Sequence, residues 1–193
     1  ANRAPAVLAN ARPNETLGVA MIGVGTQGHG LLQAVQAVEN AEVRVICDLY
    51  TGNIRRAQGL CTNDKVRIVK EWERVVEDED VDAVVVAVPD FMHARMTVAA
   101  AQNKKDVYVE KGWCVTLDEA KKMRAAVKDK KVVMQLGHHY NSAPAMHKAR
   151  EIFRSGALGK VPLVRTYIDR SSSFPVWQFY TDYAIQERPA DAT

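Results

Sequence analysis

Short apolar runs alternate with helical patterns along most of the chain. Apolar runs predict strands buried on both faces of a parallel sheet, and apolar residues three or four apart predict helices. The predicted strands are Leu17–Gly23, Val43–Cys47, Val66–Val69, Ala83–Val88, Asp106–Val109 and Val132–Leu136. The predicted helices are His29–Val38, one with Thr51 as N-cap, Glu71–Glu77, Met92–Gln102, one starting at Thr116, and Ala145–Arg154. This alternation predicts an α/β fold, a doubly wound parallel sheet with helices on both faces.

Both ends of the chain depart from this alternation. Residues 1–16 are rich in Ala and Pro and predict an irregular N-terminal arm. Residues 17–155 form the predicted doubly wound domain, and residues 156–193 begin a second domain, with Val161–Asp169 as its first strand. A start without Met is typical of a trimmed export signal and also of a fragment boundary, so exported (periplasmic) and cytoplasmic locations both stay open.

Composition and charge exclude several classes of function. The chain has 193 residues, of which 47% are hydrophobic and 25% charged, and its net charge is +3. The charges are interspersed, so we expect no nucleic-acid partner, and no apolar run approaches the ~20 residues of a membrane helix. Cys47, Cys61 and Cys114 lack the spacing of a zinc site, so we expect free thiols and no metal.

A glycine-rich segment, GVGTQG at residues 23–28, follows the first strand and precedes a helix. In such a turn Gly23 permits the tight bend, Gly25 lets a pyrophosphate approach the backbone, and Gly28 lets the helix pack on the strand. The N–H groups at the helix start then face the phosphates. Asp48 ends the second strand, where a carboxylate binds the adenosine ribose and repels a 2′-phosphate. This pattern predicts a Rossmann domain that binds NAD, with NADP less favoured because of Asp48.

Two further strand ends carry candidate site residues. Ligands of open α/β sheets bind beyond the carboxyl ends of the strands, which places Val88, Pro89 and His93 beside the cofactor. Glu110 and Lys111 follow the next strand, and a lysine there can exchange a proton with a substrate hydroxyl. A helix-start histidine and a surface salt-bridge lysine are the structural alternatives for His93 and Lys111.

Aromatic and histidine side chains near these strand ends are candidate substrate contacts. Trp113 neighbours Lys111, and either lines the substrate pocket or packs in the core. His138 and Tyr140 follow the last predicted strand and are candidates to touch substrate or cofactor. Adjacent histidines on a strand point to opposite faces, so the pair of His138 and His139 does not predict a metal site.

These motifs together resemble the Gfo/Idh/MocA family of sugar oxidoreductases. The resemblance lies in LGVAMIGVGTQGHG (17–30), in the segment 81–111 that ends in Glu-Lys, and in IFRSGALGKVPLV (152–164). It implies NAD(P)-dependent redox chemistry on a sugar, polyol or glycoside, and a second domain with an open, mainly antiparallel sheet that mediates homo-oligomers. It implies roles for several residues. These are Lys111 in catalysis, Gly25, Thr26 and Gln27 at the pyrophosphate, Asp48 at the ribose, and Val88, Pro89, His93 and Glu110 on the nicotinamide side.

The chain departs from the family pattern in two ways. Gly112 stands where the family usually has Pro after the Glu-Lys pair, which is expected to free the backbone beside Lys111. The second-domain acid/base implied by the family would lie beyond Thr193, so we expect a partial polypeptide or one completed by a companion chain. Two alternatives to a simple dehydrogenase stay open. They are an NAD-dependent glycosidase that oxidises its sugar transiently before elimination, and a non-catalytic dinucleotide-binding module.

Overall fold

A computed structural model describes residues 16–167 of the chain. Six strands form one parallel sheet in the order β3-β2-β1-β4-β5-β6. The strands are β1 (Leu17–Ile22), β2 (Ala41–Cys47), β3 (Arg67–Val69), β4 (Ala83–Val86), β5 (Asp106–Glu110) and β6 (Met134–Gly137). The helices are α1 (Thr26–Gln36), α2 (Thr51–Leu60), α3 (Trp72–Glu77), α4 (Asp90–Gln102), α5 (Leu117–Lys130) and α6 (Pro144–Arg154). This strand order is that of a Rossmann sheet, so the predicted α/β class is confirmed.

The core lies on both faces of the sheet, because side chains alternate along each strand. On one face Ala20 and Ile22 of β1 pack in a cluster that α3, α4 and α5 cover. On the other face Val19 and Met21 pack with residues of α1 and α2. The two-sided burial explains why the strands are continuous apolar runs. Their carboxyl ends, where β1, β2, β4 and β5 stop, form a single edge.

Several element boundaries differ from the predictions. α1 begins at Thr26, ahead of the predicted His29, because the polar and glycine residues of its first turn continue directly from the β1 turn. β4 ends at Val86, earlier than the predicted Val88. The predicted N-cap Thr51 is the first residue of α2, and no side chain caps that helix. Thr116 does cap α5, in a capping box with Glu119.

A second compact unit begins at His138. It contains a short 3₁₀ helix at His139–Ser142 and α6, which has no buried residue. Residues 161–167 form neither helix nor strand, and the rest of the predicted strand Val161–Asp169 lies outside the described residues. Most of the predicted N-terminal arm and second domain lie outside them as well. Within residues 16–167, no helix has the length and apolar character needed to cross a bilayer.

Candidate dinucleotide site and the neighbouring lysine

The three glycines of the turn between β1 and α1 differ in the space where a Cβ would lie. Two of them are closed, because backbone atoms fill that space, and one is open, because the space is empty. Gly23 has φ +86°, and a Cβ on it would lie 2.4 Å from the carbonyl oxygen of Ala87. A Cβ on Gly28 would lie 2.2 Å from the carbonyl oxygen of Gly23. A Cβ on Gly25 would meet nothing nearer than Asn53 Nδ2 at 3.9 Å. Gly23 and Gly28 are therefore needed for the fold, whereas Gly25 leaves space beside the start of α1.

The carboxylate of Asp48 faces this turn. Its Oδ2 accepts a 2.8 Å hydrogen bond from the backbone N–H of Val24, and its Oδ1 accepts one of 2.8 Å from the N–H of Tyr50. Because Asp48 is only half-buried, the same carboxylate remains accessible to a ligand. An acidic group that ends β2 and contacts the glycine turn is the arrangement that binds an adenosine ribose diol.

Asn53 and His29, which we did not predict as site residues, connect α2 to this turn. The Asn53 side chain donates from Nδ2 to Asp48 Oδ2 at 3.2 Å. The backbone carbonyl of Asn53 lies 3.3 Å from Nε2 of His29, and since a carbonyl only accepts, Nε2 carries the proton. Burial lowers the pKa of His29. The contact of His29 with Asn53 joins two helices 24 residues apart, so no local sequence pattern indicates it, whereas Asn53 and Asp48 lie only five residues apart.

Glu110, at the end of β5, is a buried carboxylate that is 4% exposed. Its Oε1 accepts from Gln27 Nε2 at 3.0 Å and from the Tyr108 hydroxyl at 3.2 Å, and its Oε2 accepts from the N–H of Lys111 at 3.2 Å. Burial, with the neighbouring Glu110 charge, raises the pKa of Tyr108 to about 12. Glu110 therefore links β5 to the first turn of α1, a role the sequence does not reveal.

Lys111 extends from the same strand end and is exposed. In the part of the chain that the structure describes, its ammonium forms no hydrogen bond or ion pair, while its backbone N–H is held by Glu110. The sheet thus presents a charged amine at the edge that also carries the glycine turn. An accessible amine at this edge can donate a proton to, or accept one from, a bound hydroxyl group.

Gly112 is constrained, contrary to the expectation that losing proline frees this backbone. Its φ of +74° is a left-handed conformation that proline cannot adopt. The Nδ1–H of His93 donates to the Gly112 carbonyl at 3.0 Å, and a Cβ on Gly112 would lie 2.4 Å from Asp90 Oδ2. The first turn of α4 therefore fixes the peptide that follows Lys111.

The other predicted residues of this edge occupy different environments. His93 is 1% exposed, so its ring supports Gly112 from within the core. Val88 is half-buried, and a Cβ on Gly23 would lie 2.9 Å from its Cγ1. Pro89 is exposed as the N-cap of α4, and Trp113 packs against the larger core cluster. Contact of these four side chains with a cofactor or substrate stays a prediction.

The remaining predictions concern His138, Tyr140 and the three cysteines. His138 and Tyr140 belong to the second unit, where Tyr140 is exposed and its ring lies 4.7 Å from that of His139. Their proposed contact with substrate stays a prediction. Cys47, Cys61 and Cys114 are free thiols, as predicted. Among residues 16–167, no three His, Cys, Asp or Glu side chains are grouped so as to hold a metal ion.

Fold and site together define a dinucleotide-binding Rossmann domain. The sequence profile of an oxidoreductase family with an NAD-binding Rossmann fold matches residues 17–138. The chain belongs to this family, Gfo/Idh/MocA, and the predicted resemblance is confirmed.

The names of individual relatives describe several different activities. Levoglucosan dehydrogenase of Pseudarthrobacter phenanthrenivorans is 33% identical over 59% of this chain and 30% of its own. A glycosyl hydrolase family 109 protein of Solibacter usitatus is 32% identical over 56% of this chain and 27% of its own. Scyllo-inositol dehydrogenase of Lactobacillus casei, solved with NAD(H) and scyllo-inositol, superposes with a TM-score of 0.67 at 18% identity, covering 75% of this chain and 43% of that one. The chain spans less than half the length of these relatives.

Proposed function

We propose that this chain forms the cofactor-binding part of an NAD-dependent oxidoreductase that acts on a sugar, polyol or glycoside. The observation that carries the proposal is the asymmetry of the glycine turn. Gly23 and Gly28 are closed by backbone atoms, whereas Gly25 stands open beside the accessible Asp48 carboxylate. A turn built only for compactness does not need an open glycine next to a strand-end acid.

The proposed cofactor position follows from this geometry. The pyrophosphate would lie against Gly25 and the first turn of α1, where Thr26 and Gln27 are exposed and backbone N–H groups are free to donate. Asp48 would hold the adenosine ribose. Val88 and Pro89, which follow β4, would then lie on the nicotinamide side, with the buried Glu110 holding the first turn of α1 through Gln27. When bound, NAD accepts or supplies the hydride.

Lys111 is the proposed acid/base. Oxidation of an alcohol removes a hydride from carbon and a proton from the hydroxyl oxygen, and the exposed ammonium group, once deprotonated, can take that proton. Glu110 and Gly112 fix the backbone on either side of Lys111, so the lysine starts from a defined point. In the reverse direction the same amine donates the proton.

The substrate class is inferred from the family and from the names of relatives. The family is one of oxidoreductases, and a relative with 33% identity is named as a levoglucosan dehydrogenase. We infer a small carbohydrate or polyol as substrate, with Trp113, His138 and Tyr140 as candidate contacts. A homo-oligomer, or a companion chain that completes the substrate side, belongs to the same proposal.

A glycosidase that oxidises its sugar transiently is the second candidate. It is supported by the 32% identical relative that is named as a glycosyl hydrolase. In that scheme the bound cofactor would supply transient oxidation of the sugar, which would acidify a neighbouring C–H. Elimination would then break the glycosidic bond, water would add to the resulting double bond, and return of the hydride to the ketone would leave the cofactor unchanged. NADH then never accumulates, which separates this scheme from net dehydrogenation.

The test uses the full protein, purified without added nucleotide. Acid or heat denaturation should release NAD(H), identified by chromatography, or calorimetric titration should detect NAD binding to the empty protein. Incubation with NAD and a panel of polyols, sugars and anhydrosugars should then produce NADH. Glycoside cleavage without NADH accumulation would select the second candidate. Failure to bind either NAD or NADP would contradict both.

A further inference from the structure

The side chain of Asn53 stands between the Asp48 carboxylate and the open glycine. Its Nδ2 is 3.2 Å from Asp48 Oδ2 and 3.9 Å from the point where a Cβ on Gly25 would lie. Asn53 is in the first turn of α2 and is half-buried. Its amide therefore lies between the space beside Gly25, which the proposed function assigns to the pyrophosphate, and Asp48, which it assigns to the adenosine ribose.

Two hydrogen bonds in different directions hold Asn53 in this place. The side chain bonds to Asp48, and the backbone carbonyl accepts from Nε2 of His29 at 3.3 Å. His29 lies in α1, and its backbone N–H donates to the carbonyl of Gly25 at 2.9 Å. The first turns of α1 and α2 are thus joined through the backbone of Asn53, which a change of its side chain leaves in place. Such a change therefore acts mainly on the contact with Asp48.

The hydrogen bonds to Asp48 all come from uncharged groups. Its described donors are the backbone N–H groups of Val24 and Tyr50 and the amide of Asn53, and all three are uncharged. A ribose diol can donate to such a carboxylate, whereas the carboxylate repels a 2′-phosphate. A cation in place of the Asn53 amide would remove that repulsion.

We propose that Asn53 is a specificity-determining residue for the adenosine ribose, and that its uncharged amide keeps the site selective for NAD over NADP. The amide orients the Asp48 carboxylate without neutralising it. This inference rests on the proposed function, because it assumes that the dinucleotide binds at the Gly25 turn.

The test measures dissociation constants of NAD and NADP by calorimetric titration, on the full chain and in the absence of substrate. Asn53→Arg should lower the ratio of the Kd for NADP to the Kd for NAD by about tenfold or more, because the new guanidinium group would pair with Asp48 and attract the 2′-phosphate. Asn53→Ala should weaken NAD binding by about five- to tenfold, because a hydrogen bond to a charged group is lost. Gln58→Arg, which adds the same charge at an exposed position further along α2, is the matched control and should leave the ratio unchanged.

The outcomes separate the two proposals. If the wild type prefers NAD and both Asn53 variants fold but keep its ratio within about twofold, which is less than 0.5 kcal/mol, Asn53 does not set the preference. A shift of the ratio in Gln58→Arg as large as in Asn53→Arg would also overturn the inference, because the effect would then be general to added charge on α2. A wild type that binds neither dinucleotide overturns the proposed function together with the inference.

Discussion

Asp48 directly follows β2 and Glu110 is the last residue of β5 in the same sheet, and each carboxylate accepts three hydrogen bonds from uncharged donors. They differ in burial, because Glu110 is 4% exposed whereas Asp48 is half-buried. A buried carboxylate surrounded by its donors acts on the protein itself, and Glu110 joins β5 to the start of α1 through Gln27. An accessible carboxylate on the same kind of turn retains the capacity to bind a ligand. We therefore expect burial, more than residue type, to distinguish the structural acid Glu110 from the proposed ribose-binding acid Asp48.

The first prediction separates chemistry from cofactor binding at the β5 end. Lys111→Ala should lower turnover by about 10²–10⁴-fold, the usual contribution of a positioned acid/base. The Kd for NAD should stay within about twofold, under 0.5 kcal/mol, since the ammonium lies outside the glycine turn. Steady-state kinetics and calorimetric titration check the two halves, with the exposed Lys121→Ala in α5 as the matched control. Turnover equal to that of wild type would remove Lys111 from the mechanism.

The second prediction concerns the closed glycines of the turn. Gly28→Ala should cost about 3 kcal/mol of unfolding free energy, because its Cβ would overlap the carbonyl of Gly23. Gly30→Ala, two residues further along α1, has no atom within 4 Å of its Cβ and should gain up to about 1 kcal/mol from helix propensity. Urea denaturation of both variants measures the difference. Equal stabilities would mean that the turn is looser than described.

The third prediction tests the contrast of the two carboxylates directly. Glu110→Gln should lower the unfolding free energy by about 2 kcal/mol, since buried donors lose a charged acceptor. Asp48→Asn should lower it by less and should instead weaken NAD binding by about tenfold. Thermal denaturation and calorimetric titration of both variants give the comparison. A larger stability loss for Asp48→Asn than for Glu110→Gln would reverse the assignment.

The fourth prediction uses pH to probe the link between α1 and α2. Because burial lowers the pKa of His29 in the folded protein, the unfolded chain binds the proton more readily as pH falls. The contribution of His29 to stability is therefore full above its unfolded pKa of about 6.5 and declines below it, by at most about 1.4 kcal/mol per pH unit. His29→Gln should flatten stability between pH 7 and pH 5, whereas the exposed His147→Gln should not. Parallel pH profiles for wild type and His29→Gln would contradict this.

The sequence predicts the sheet and the glycine turn well because both depend on local patterns. Buried parallel strands are apolar throughout, and the spacing of Gly23, Gly25 and Gly28 reflects the close contacts of a strand-turn-helix unit. Boundaries such as the start of α1 at Thr26 are harder to predict from the sequence. The polar and glycine residues there have low helix propensity, and the preceding turn determines where the helix begins.

Several contacts that differentiate the site are long-range and could not be predicted. His29 of α1 contacts Asn53 of α2, 24 residues away, and Gln27 contacts Glu110 across 83 residues of sequence. The constraint on Gly112 likewise comes from α4, where His93 precedes Gly112 by 19 residues in the sequence. Residue types and spacing indicate which end of the sheet carries the chemistry, but side-chain partners there depend on tertiary packing.

The most direct measurement of the central claim is the NAD affinity of Gly25→Ala. Its Cβ meets no atom closer than 3.9 Å, so the melting temperature should stay close to that of wild type. The methyl group would occupy the space proposed for the pyrophosphate, so the Kd for NAD should rise by about tenfold or more. A Gly25→Ala protein that melts like wild type and binds NAD equally well would show that the dinucleotide does not lie on this turn.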